Sequence, residues 1–394
     1  MAPDPTRTRR RSRRGRGVFL TVAAVVAVAG CSSSTEQDLV PTGREPAAVA
    51  TDATASAAAP APNPAETITT GLAAPWSVAF LPDGSALVSE RDDAVVVHLT
   101  PGDGPWVADD AGRIDGVLAE GEGGLLGLAT ATGTSSTSST SSTSSTSEVF
   151  VYWSTATDNR VGVATWDGTT LSQPEVILAG IPHAGIHNGG RMVVGPDGLL
   201  YIGTGDAGDS DSAQDPTSLA GKVLRINSDG SIPADNPDPT SPVYSLGHRN
   251  IQGLAFDDEG RLWASEFGAS DVDELNLIVP GGNYGWPIHE GAADDPAYRN
   301  PAAQWRPTAV ASPSGMAIDR GSAWVAGLRG ETLWQVPLDG TTAGTPIPQL
   351  SNEYGRLRDV VTAPDGSLWL VTNNTDGRGD PGPDDDRIIR LTLS

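Results

Sequence analysis

The feature that most constrains this chain is a glycine-containing turn that recurs between pairs of apolar runs. Glycine takes the positive φ that such a tight turn requires, and most copies carry Pro and Asp just before it. The five turn glycines are Gly84, Gly198, Gly260, Gly321 and Gly366. Their separations are 114, 62, 61 and 45 residues, so the first gap hides one further unit. We place its strand at residues 148–153, with a Ser/Thr tract at 134–147 in place of its turn.

Six such units predict an all-β protein, a six-bladed β-propeller. Residues 67–394 show short strands with almost no helical periodicity, and each unit has about 55 residues, which is typical of propeller blades. An eight-stranded barrel or two β-sandwiches would not need this repeat. We expect residues 67–70 to pair with the last blade, to which residues 388–393 belong, and so to close the ring.

The N-terminus carries an export signal. Seven arginines between Arg7 and Arg16 precede an apolar run at 18–29, and Cys31 follows small residues. This pattern predicts a lipoprotein signal peptide over 1–31 that ends at lipidated Cys31, and a disordered Ser/Thr/Ala/Pro-rich linker over 32–66. The alternative is an uncleaved signal anchor with Cys31 an incidental thiol. Because Cys31 is the only cysteine, the chain has no intrachain disulfide.

The net charge limits the possible partners. Removal of the signal leaves 18 basic and 48 acidic residues, a formal charge of −30. Such an excess argues against nucleic acid or anionic lipid as a binding partner. We therefore expect an exported protein on the outer side of the cytoplasmic membrane, held there through its N-terminal lipid only.

One hairpin brings chemically useful residues together. Apolar runs at 192–194 and 199–202 flank the turn at 195–198, and antiparallel pairing then makes His187 and Asp206 neighbours at the opposite end. A carboxylate beside a histidine orients the imidazole as a general base. The alternative is a structural hydrogen bond without catalysis.

The same end of the other units is also rich in charge, and we expect these side chains to surround one mouth of the central channel. They are Trp76, Glu90 and Arg91; His248, Arg249, Asn250 and Glu266; and Arg356, Arg358, Asn373 and Asn374. Together with Arg329, the arginines predict a site for an anion with several carboxylates. The alternative is a set of salt bridges between blades. We interpret residues 384–386, three aspartates, as solvated loop carboxylates and not as a metal cluster.

Several motifs carry a family resemblance over 67–394. They are residues 123–129 (GGLLGLA), HNGGR from His187, Gly205-Asp206, GKVLRINSDGSIPADNP from Gly221, GHRNIQGLAF from Gly247, DELNLI from Asp273, GGNYGWP from Gly281 and residues 356–359 (RLRD). In this order they resemble the soluble quinoprotein glucose/sorbosone (aldose sugar) dehydrogenases. Those enzymes are six-bladed propellers that use pyrroloquinoline quinone (PQQ) and calcium. We expect Trp286 of GGNYGWP to pack between blades, outside the site.

The resemblance implies a role for each matching position. His187 would take the proton of a sugar's C1 hydroxyl while hydride passes from C1 to the quinone, and Asp206 would orient it. Arg249 would stabilise the negative charge that develops on the quinone oxygen. The PQQ-binding positions are Glu122, Asn250, Arg329, Arg356 and Arg358. The carbonyls of Gly268 and Ala269 would hold calcium.

The sequence therefore predicts a dehydrogenase that oxidises the C1 hydroxyl of aldose sugars to lactones and passes electrons to a respiratory or dye acceptor. Two alternatives remain open at this point. One is a metal-dependent lactonase that uses Glu90, Asn373 and Asn374, although a neutral lactone would not need the arginine cluster. The other is a non-catalytic propeller lipoprotein that binds sugar or protein.

Overall fold

The computed structural model describes residues 60–130 and 146–394. The predicted signal peptide, Cys31, most of the predicted linker and most of the Ser/Thr tract lie outside the described residues. Within the described part of the chain, 25 strands form six antiparallel sheets. The predicted all-β, six-bladed propeller is confirmed.

The strands follow one another blade by blade. Blade 1 contains β2 (Pro75–Phe80), β3 (Ala86–Glu90), β4 (Val95–Thr100) and β5 (Val107–Arg113), and blade 2 contains β6 (Leu125–Thr130), β7 (Ser147–Ser154), β8 (Asn159–Trp166) and β9 (Glu175–Ile181). Blade 3 contains β10 (Met192–Val194), β11 (Leu200–Gly203), β12 (Lys222–Ile226) and β13 (Val243–Leu246), and blade 4 contains β14 (Ile251–Phe256), β15 (Leu262–Glu266), β16 (Asp273–Ile278) and β17 (Ala303–Trp305). Blade 5 contains β18 (Pro313–Asp319), β19 (Ser322–Gly327), β20 (Leu333–Asp339), β21 (Thr342–Ala343) and β22 (Ile347–Gln349). Blade 6 contains β23 (Leu357–Thr362), β24 (Leu368–Thr372), β25 (Ile388–Leu393) and β1 (Pro62–Thr69).

Two short 3₁₀ helices, Ser210–Ala213 and Thr308–Val310, complete the described elements. Neither these nor any other helix of the described chain has the length and apolar character needed to cross a bilayer. Strand β7 contains the predicted hidden strand at 148–153, which confirms the sixth unit.

The first strand of each blade lies innermost, and neighbouring inner strands pack in the order β2, β6, β10, β14, β18, β23 and back to β2. Their amino ends, where the second strands also end, form one face of the ring, which we call the site end. The hairpin turns form the opposite face, the turn end. All the candidate residues that precede an inner strand or follow a second strand therefore share the site end.

The hydrophobic core lies between adjacent blades. Three tryptophans on second strands, Trp263, Trp324 and Trp369, are at most 2% exposed, and each packs against strands of the next blade. Trp369 of blade 6, for example, contacts the cluster that contains Val88 of blade 1. Removal of such a ring leaves a cavity and costs about 3–5 kcal/mol of stability. These side chains fill the space between adjacent blades.

The ring closes through β1 and β25, as predicted, with Thr67 opposite Ile389. The predicted boundary at 67 is wrong, because β1 begins at Pro62 and Asn63 lies opposite Thr392. Residues 62–66 therefore belong to the propeller and not to the linker. Their side chains after Pro62 are exposed, since an outermost strand is held by main-chain hydrogen bonds and needs no apolar pattern.

Candidate functional site

The hairpin of β10 and β11 places His187 beside Asp206, as predicted. Met192 lies opposite Ile202 in the register of the two strands. At the site end, Nδ1 of His187 lies 2.6 Å from Oδ1 of Asp206. The Asp206 side chain is buried, and the His187 side chain is 13% exposed, so the imidazole remains accessible to a small ligand.

The charge of Asp206 is fixed by its neighbours. Burial on its own raises the pKa of Asp206. The hydrogen bonds from His187, the Gly208 amide and the Trp286 indole lower the pKa by more than burial raises it, so the pKa of Asp206 lies below its ordinary value. An ionised Asp206 holds the proton of His187 on Nδ1. Nε2 of His187 is then free to accept a proton, as a general base requires.

The backbone of His187 has an uncommon conformation. Its φ is 55°, in the left-handed region that is unfavourable for a residue with a side chain. Two hydrogen bonds hold it there: its N–H donates to Oε2 of Glu122 over 2.9 Å, and its carbonyl accepts the Ala207 N–H over 3.1 Å. The surrounding loops therefore determine where the imidazole points.

Trp286 belongs to the site, and the prediction that it packs outside the site is wrong. Its indole N–H donates to Oδ2 of Asp206 over 2.9 Å, and the Arg249 guanidinium lies 5.4 Å from its ring centre. Arg249 is further held by Nη1, which donates to the Phe267 carbonyl over 3.2 Å. Trp286 thus connects the His187–Asp206 pair to Arg249. One signal was readable in the sequence: an indole N–H that becomes buried needs an acceptor.

The predicted arginines of blade 6 are both buried at the amino end of β23. Arg356 pairs with Asp376 over 3.1 Å, and Arg358 donates from Nη1 to Oε1 of Gln252 over 3.2 Å. Burial lowers the pKa of Arg358 to about 9, and the nearby Arg91 contributes to this shift. A group so short of compensating charge favours an anion beside it.

Within the described residues, four donors on the predicted cofactor-binding and catalytic residues are buried at this end without a hydrogen-bond partner. They are Arg249 Nε, Asn250 Nδ2, Arg356 Nε and Arg358 Nε. A buried unsatisfied donor costs about 1–3 kcal/mol, so native proteins rarely leave several together without a ligand. The four belong to the predicted cofactor and catalytic residues. They fit a ligand that is rich in acceptor oxygens and negatively charged.

Arg329 is not joined to this group. It lies in the loop between β19 and β20 at the site end, where it is exposed. Within the described residues, no ion pair or side-chain hydrogen bond involves it.

Gly268 and Ala269 lie just beyond β15, also at the site end. Oε1 of Glu290 accepts the N–H groups of residues 269–272 at 2.8–3.1 Å, and the Gly268 N–H donates to Asp273 over 2.9 Å. No donor in the described chain reaches either the Gly268 or the Ala269 carbonyl. The two carbonyls are therefore available to a hard cation, which prefers such oxygens. The described residues contain no cluster of three or more His, Cys, Asp or Glu side chains suited to a metal ion.

Glu122 contacts His187 and a loop of blade 6. Its Oε1 accepts a hydrogen bond from Nη1 of Arg378 over 3.2 Å. Arg378 belongs to residues 373–387, the loop between β24 and β25, which we call the strap. The description of residues 384–386 as solvated is wrong for two of the three. The Asp385 side chain is buried and pairs with Arg387 over 3.3 Å, and Asp386 is fully buried and accepts hydrogen bonds from Thr372 and from Thr375. Asp386 is buried because the strap's main-chain N–H groups need an acceptor.

The fold and this site together define a β-propeller protein with a carboxylate-oriented histidine and a group of arginines at one mouth of its channel. Residues 72–389 match the family model described as glucose / sorbosone dehydrogenase. The chain therefore belongs to the glucose/sorbosone dehydrogenase family. The predicted family and the predicted enzyme class, a sugar dehydrogenase, are confirmed.

Individual relatives agree with this assignment. The structure of the PQQ-bound form of the aldose sugar dehydrogenase of Streptomyces coelicolor is 47% identical, has a TM-score of 0.79, and covers 85% of this chain and 98% of its own. The aldose sugar dehydrogenase YliI of Escherichia coli is 28% identical over 77% of this chain and 88% of its own length. Quinoprotein glucose dehydrogenase B of Acinetobacter calcoaceticus is 33% identical over 59% of this chain and 54% of its own length.

Proposed function

We propose that this chain is a PQQ- and calcium-dependent dehydrogenase that oxidises the C1 hydroxyl of aldose sugars to lactones. One observation carries the proposal: four buried donors without partners lie at the same mouth as the His187–Asp206 pair. PQQ has three carboxylates and two quinone oxygens, so it offers the acceptors that those donors need. The PQQ-bound aldose sugar dehydrogenase of Streptomyces coelicolor supports this ligand by its similarity.

Separate residues of the chain would bind PQQ and calcium. Arg356 and Arg358 would bind carboxylates, and Asn250 would donate from its free Nδ2. Gly268 and Ala269 would hold calcium through their carbonyls. PQQ, when bound, supplies the acceptor for the hydride that leaves C1 of the sugar.

His187 would take the proton of the C1 hydroxyl on Nε2, because Asp206 keeps the other ring nitrogen protonated. The ionised Asp206 then stabilises the imidazolium that forms, since the two groups lie 2.6 Å apart. Arg249 would provide positive charge where negative charge develops. Loss of the hydroxyl proton and of the C1 hydride together leaves the lactone.

The predicted lipoprotein signal adds a location to this proposal. Lipidated Cys31 would hold the enzyme on the outer side of the cytoplasmic membrane, close to a respiratory acceptor for its electrons. The test is mass spectrometry of the mature protein from the membrane fraction: its chain should begin at Cys31 and carry lipid on that residue. A membrane-bound protein that retains residues 1–30 and an unmodified Cys31 would contradict lipid anchoring.

No observation favours the lactonase alternative. Oε1 of Glu90 accepts the Ala73 N–H over 2.7 Å, and Oδ1 of Asn374 accepts the Arg356 N–H over 2.8 Å. Nδ2 of Asn373 donates to Asp376 over 2.8 Å. All three side chains are thus used to hold loops, so we propose no second function.

The experiment is dye reduction by the purified protein across a panel of aldoses, with PQQ and calcium each added or omitted. Activity should require both additives and fall by about 10²–10⁴-fold in His187→Ala, which is the usual contribution of a general base. His98→Ala is the matched control, because His98 lies near the turn end beside Ser85. No activity on any aldose, together with no PQQ-induced rise in Tm, would overturn the proposal.

A further inference from the structure

Glu122 uses both of its carboxylate oxygens on the protein itself. Oε2 accepts the His187 N–H over 2.9 Å, and Oε1 accepts from Arg378 over 3.2 Å. These partners are 65 and 256 residues away in the chain. The Glu122 side chain is 24% exposed, so its carboxylate is largely shielded from solvent.

The turn that carries Glu122 is fitted closely against the loop that carries His187. The Glu122 N–H donates to the Gly185 carbonyl over 3.0 Å, so hydrogen bonds run in both directions between the two segments. Gly121 has φ 63°, and a β-carbon there would lie 2.1 Å from the Gly185 carbonyl oxygen. Only glycine allows this approach, and the approach brings the Glu122 carboxylate to the His187 N–H.

The bond matters because of the conformation of His187. With φ at 55°, the His187 peptide is in a region that side-chain residues avoid, and it stays there only if its N–H and carbonyl are held. The Ala207 N–H holds the carbonyl, and Glu122 holds the N–H. If the N–H loses its acceptor, the peptide can relax toward negative φ. That rotation would turn the imidazole away from Asp206.

Arg378 restrains Glu122 in turn. The strap carries this arginine from blade 6 to the loop before β6 of blade 2, past the site end of blade 1. The Arg378 side chain is 52% exposed, so its ion pair with Glu122 is partly screened by water and contributes less than the partly buried hydrogen bond between Glu122 and His187.

We propose that Glu122 is a positioning residue that holds the main chain of the base in its active conformation, with Arg378 keeping the carboxylate in place. The proposal rests on the proposed role of His187 as the base. Glu122 was expected to bind the cofactor, which stays a prediction; the side-chain contacts that the structure shows for it are with His187 and Arg378. Its effect on the reaction would therefore be indirect, through the direction of the imidazole.

Three variants and one control test the proposal. Glu122→Gln retains an oxygen acceptor for the His187 N–H, whereas Glu122→Ala removes it. We expect kcat to fall about 10- to 100-fold in Glu122→Ala with KM changed less than about twofold, because misorientation of a reacting group by about 1 Å has an effect of this size. Glu122→Gln should restore kcat to within about threefold of the wild type. In Arg378→Ala, kcat should likewise stay within about threefold of the wild type. In the control Glu259→Ala, in the turn of blade 4, kcat should not change.

Amide hydrogen exchange of His187 in the protein without added cofactor gives a readout that does not depend on activity. The amide should be protected in the wild type and in Glu122→Gln, and should exchange at least about tenfold faster in Glu122→Ala. This measurement stands even if the dehydrogenase assay fails, so the two proposals fail separately. Wild-type kcat in Glu122→Ala, an unchanged exchange rate, or a rise in KM alone would overturn the positioning role.

Discussion

The two ends of the central channel differ in which residues adopt positive φ. At the turn end, the chain reverses through glycines at positive φ, and a β-carbon added to those of blades 1, 3 and 6 would meet no other atom within 4 Å. At the site end, residues with side chains take positive φ: of the nine such residues in the described chain, only Arg320 lies at the turn end. The comparison teaches that the strain of this fold is concentrated where its chemistry is.

The ends also differ in what they bury. The turn end opens into a cavity of about 890 Å³ lined by the inner strands, with apolar side chains such as Phe256 and Ile318. Its inner boundary includes the buried ion pair of Arg191 and Asp359, whose atoms Nη1 and Oδ2 lie 2.7 Å apart. Arg191 also lies 4.3 Å from the ring centre of Trp76. The turn-end cavity is therefore lined by a paired arginine and aspartate as well as by apolar side chains.

The largest effect should come from a substitution at the site end of the hairpin of β10 and β11, compared with one at its turn. Asp206→Asn offers an amide N–H to Nδ1 of His187, which favours the tautomer with the proton on Nε2 and removes the base. We expect kcat to fall by about 10²–10⁴-fold. The matched control is Asp197→Asn at the turn of the same hairpin, where Asp197 accepts hydrogen bonds from Leu199 and Tyr201. Steady-state kinetics of both variants would contradict the comparison if they lost similar activity.

A smaller loss should follow from Trp286→Phe. The phenyl ring can still lie beside Arg249, but Asp206 loses the indole donor that contacts its Oδ2. We expect about a tenfold fall in kcat, which corresponds to one hydrogen bond to a charged group. Trp324→Phe, in the core between blades 5 and 6, is the control. Its stability should fall while the kcat of the folded protein stays at the wild-type value.

The turn end should respond in stability alone. Gly198 has φ 77° with open space around it, so Gly198→Ala introduces only backbone strain. We expect unfolding free energy to fall by about 1–2 kcal/mol, measured by denaturant titration, with kcat unchanged. A tenfold loss of kcat in this variant would show that the two ends are coupled, and would break the comparison.

The smallest effect concerns pH. Hydrogen bonds from His187, Gly208 and Trp286 outweigh burial and hold the folded pKa of Asp206 below its value in the unfolded chain. The stability that this shift contributes is therefore complete above about pH 4 and is lost as pH falls through the folded pKa. Unfolding free energies of the wild type and Asp206→Asn should converge as pH falls below about 4. A constant difference from about pH 6 to about pH 2.5 would contradict this linkage.

The sequence predicted the repeated hairpins and the contact within one of them, and it missed the contacts between loops that are distant in the chain. The turn signature predicted six blades, and the hairpin predicted the contact between His187 and Asp206, because pairing in a hairpin is local. The contacts of Trp286 with Asp206 and of Arg378 with Glu122 join loops 80 and 256 residues apart. No periodicity specifies such contacts. They depend on how the blades pack against one another.

The start of β1 was missed for a related reason. Its residues 63–67 carry no apolar pattern, because the strand contributes main-chain hydrogen bonds at an exposed edge. Composition alone made this segment resemble the linker before it.

The pairing of β1 with β25 also determines how the molecule can be assembled. The Ser394 N–H donates to the Ala61 carbonyl over 3.1 Å, so the last contact joins segments more than 300 residues apart. Five blades can form in the order of synthesis, but the sixth stays incomplete until both segments are present. Such a distant contact has a high entropic barrier and forms slowly. Until it forms, β1 and the outer edge of β25 in blade 6 are unpaired, and this interval is when the chain is most exposed to aggregation.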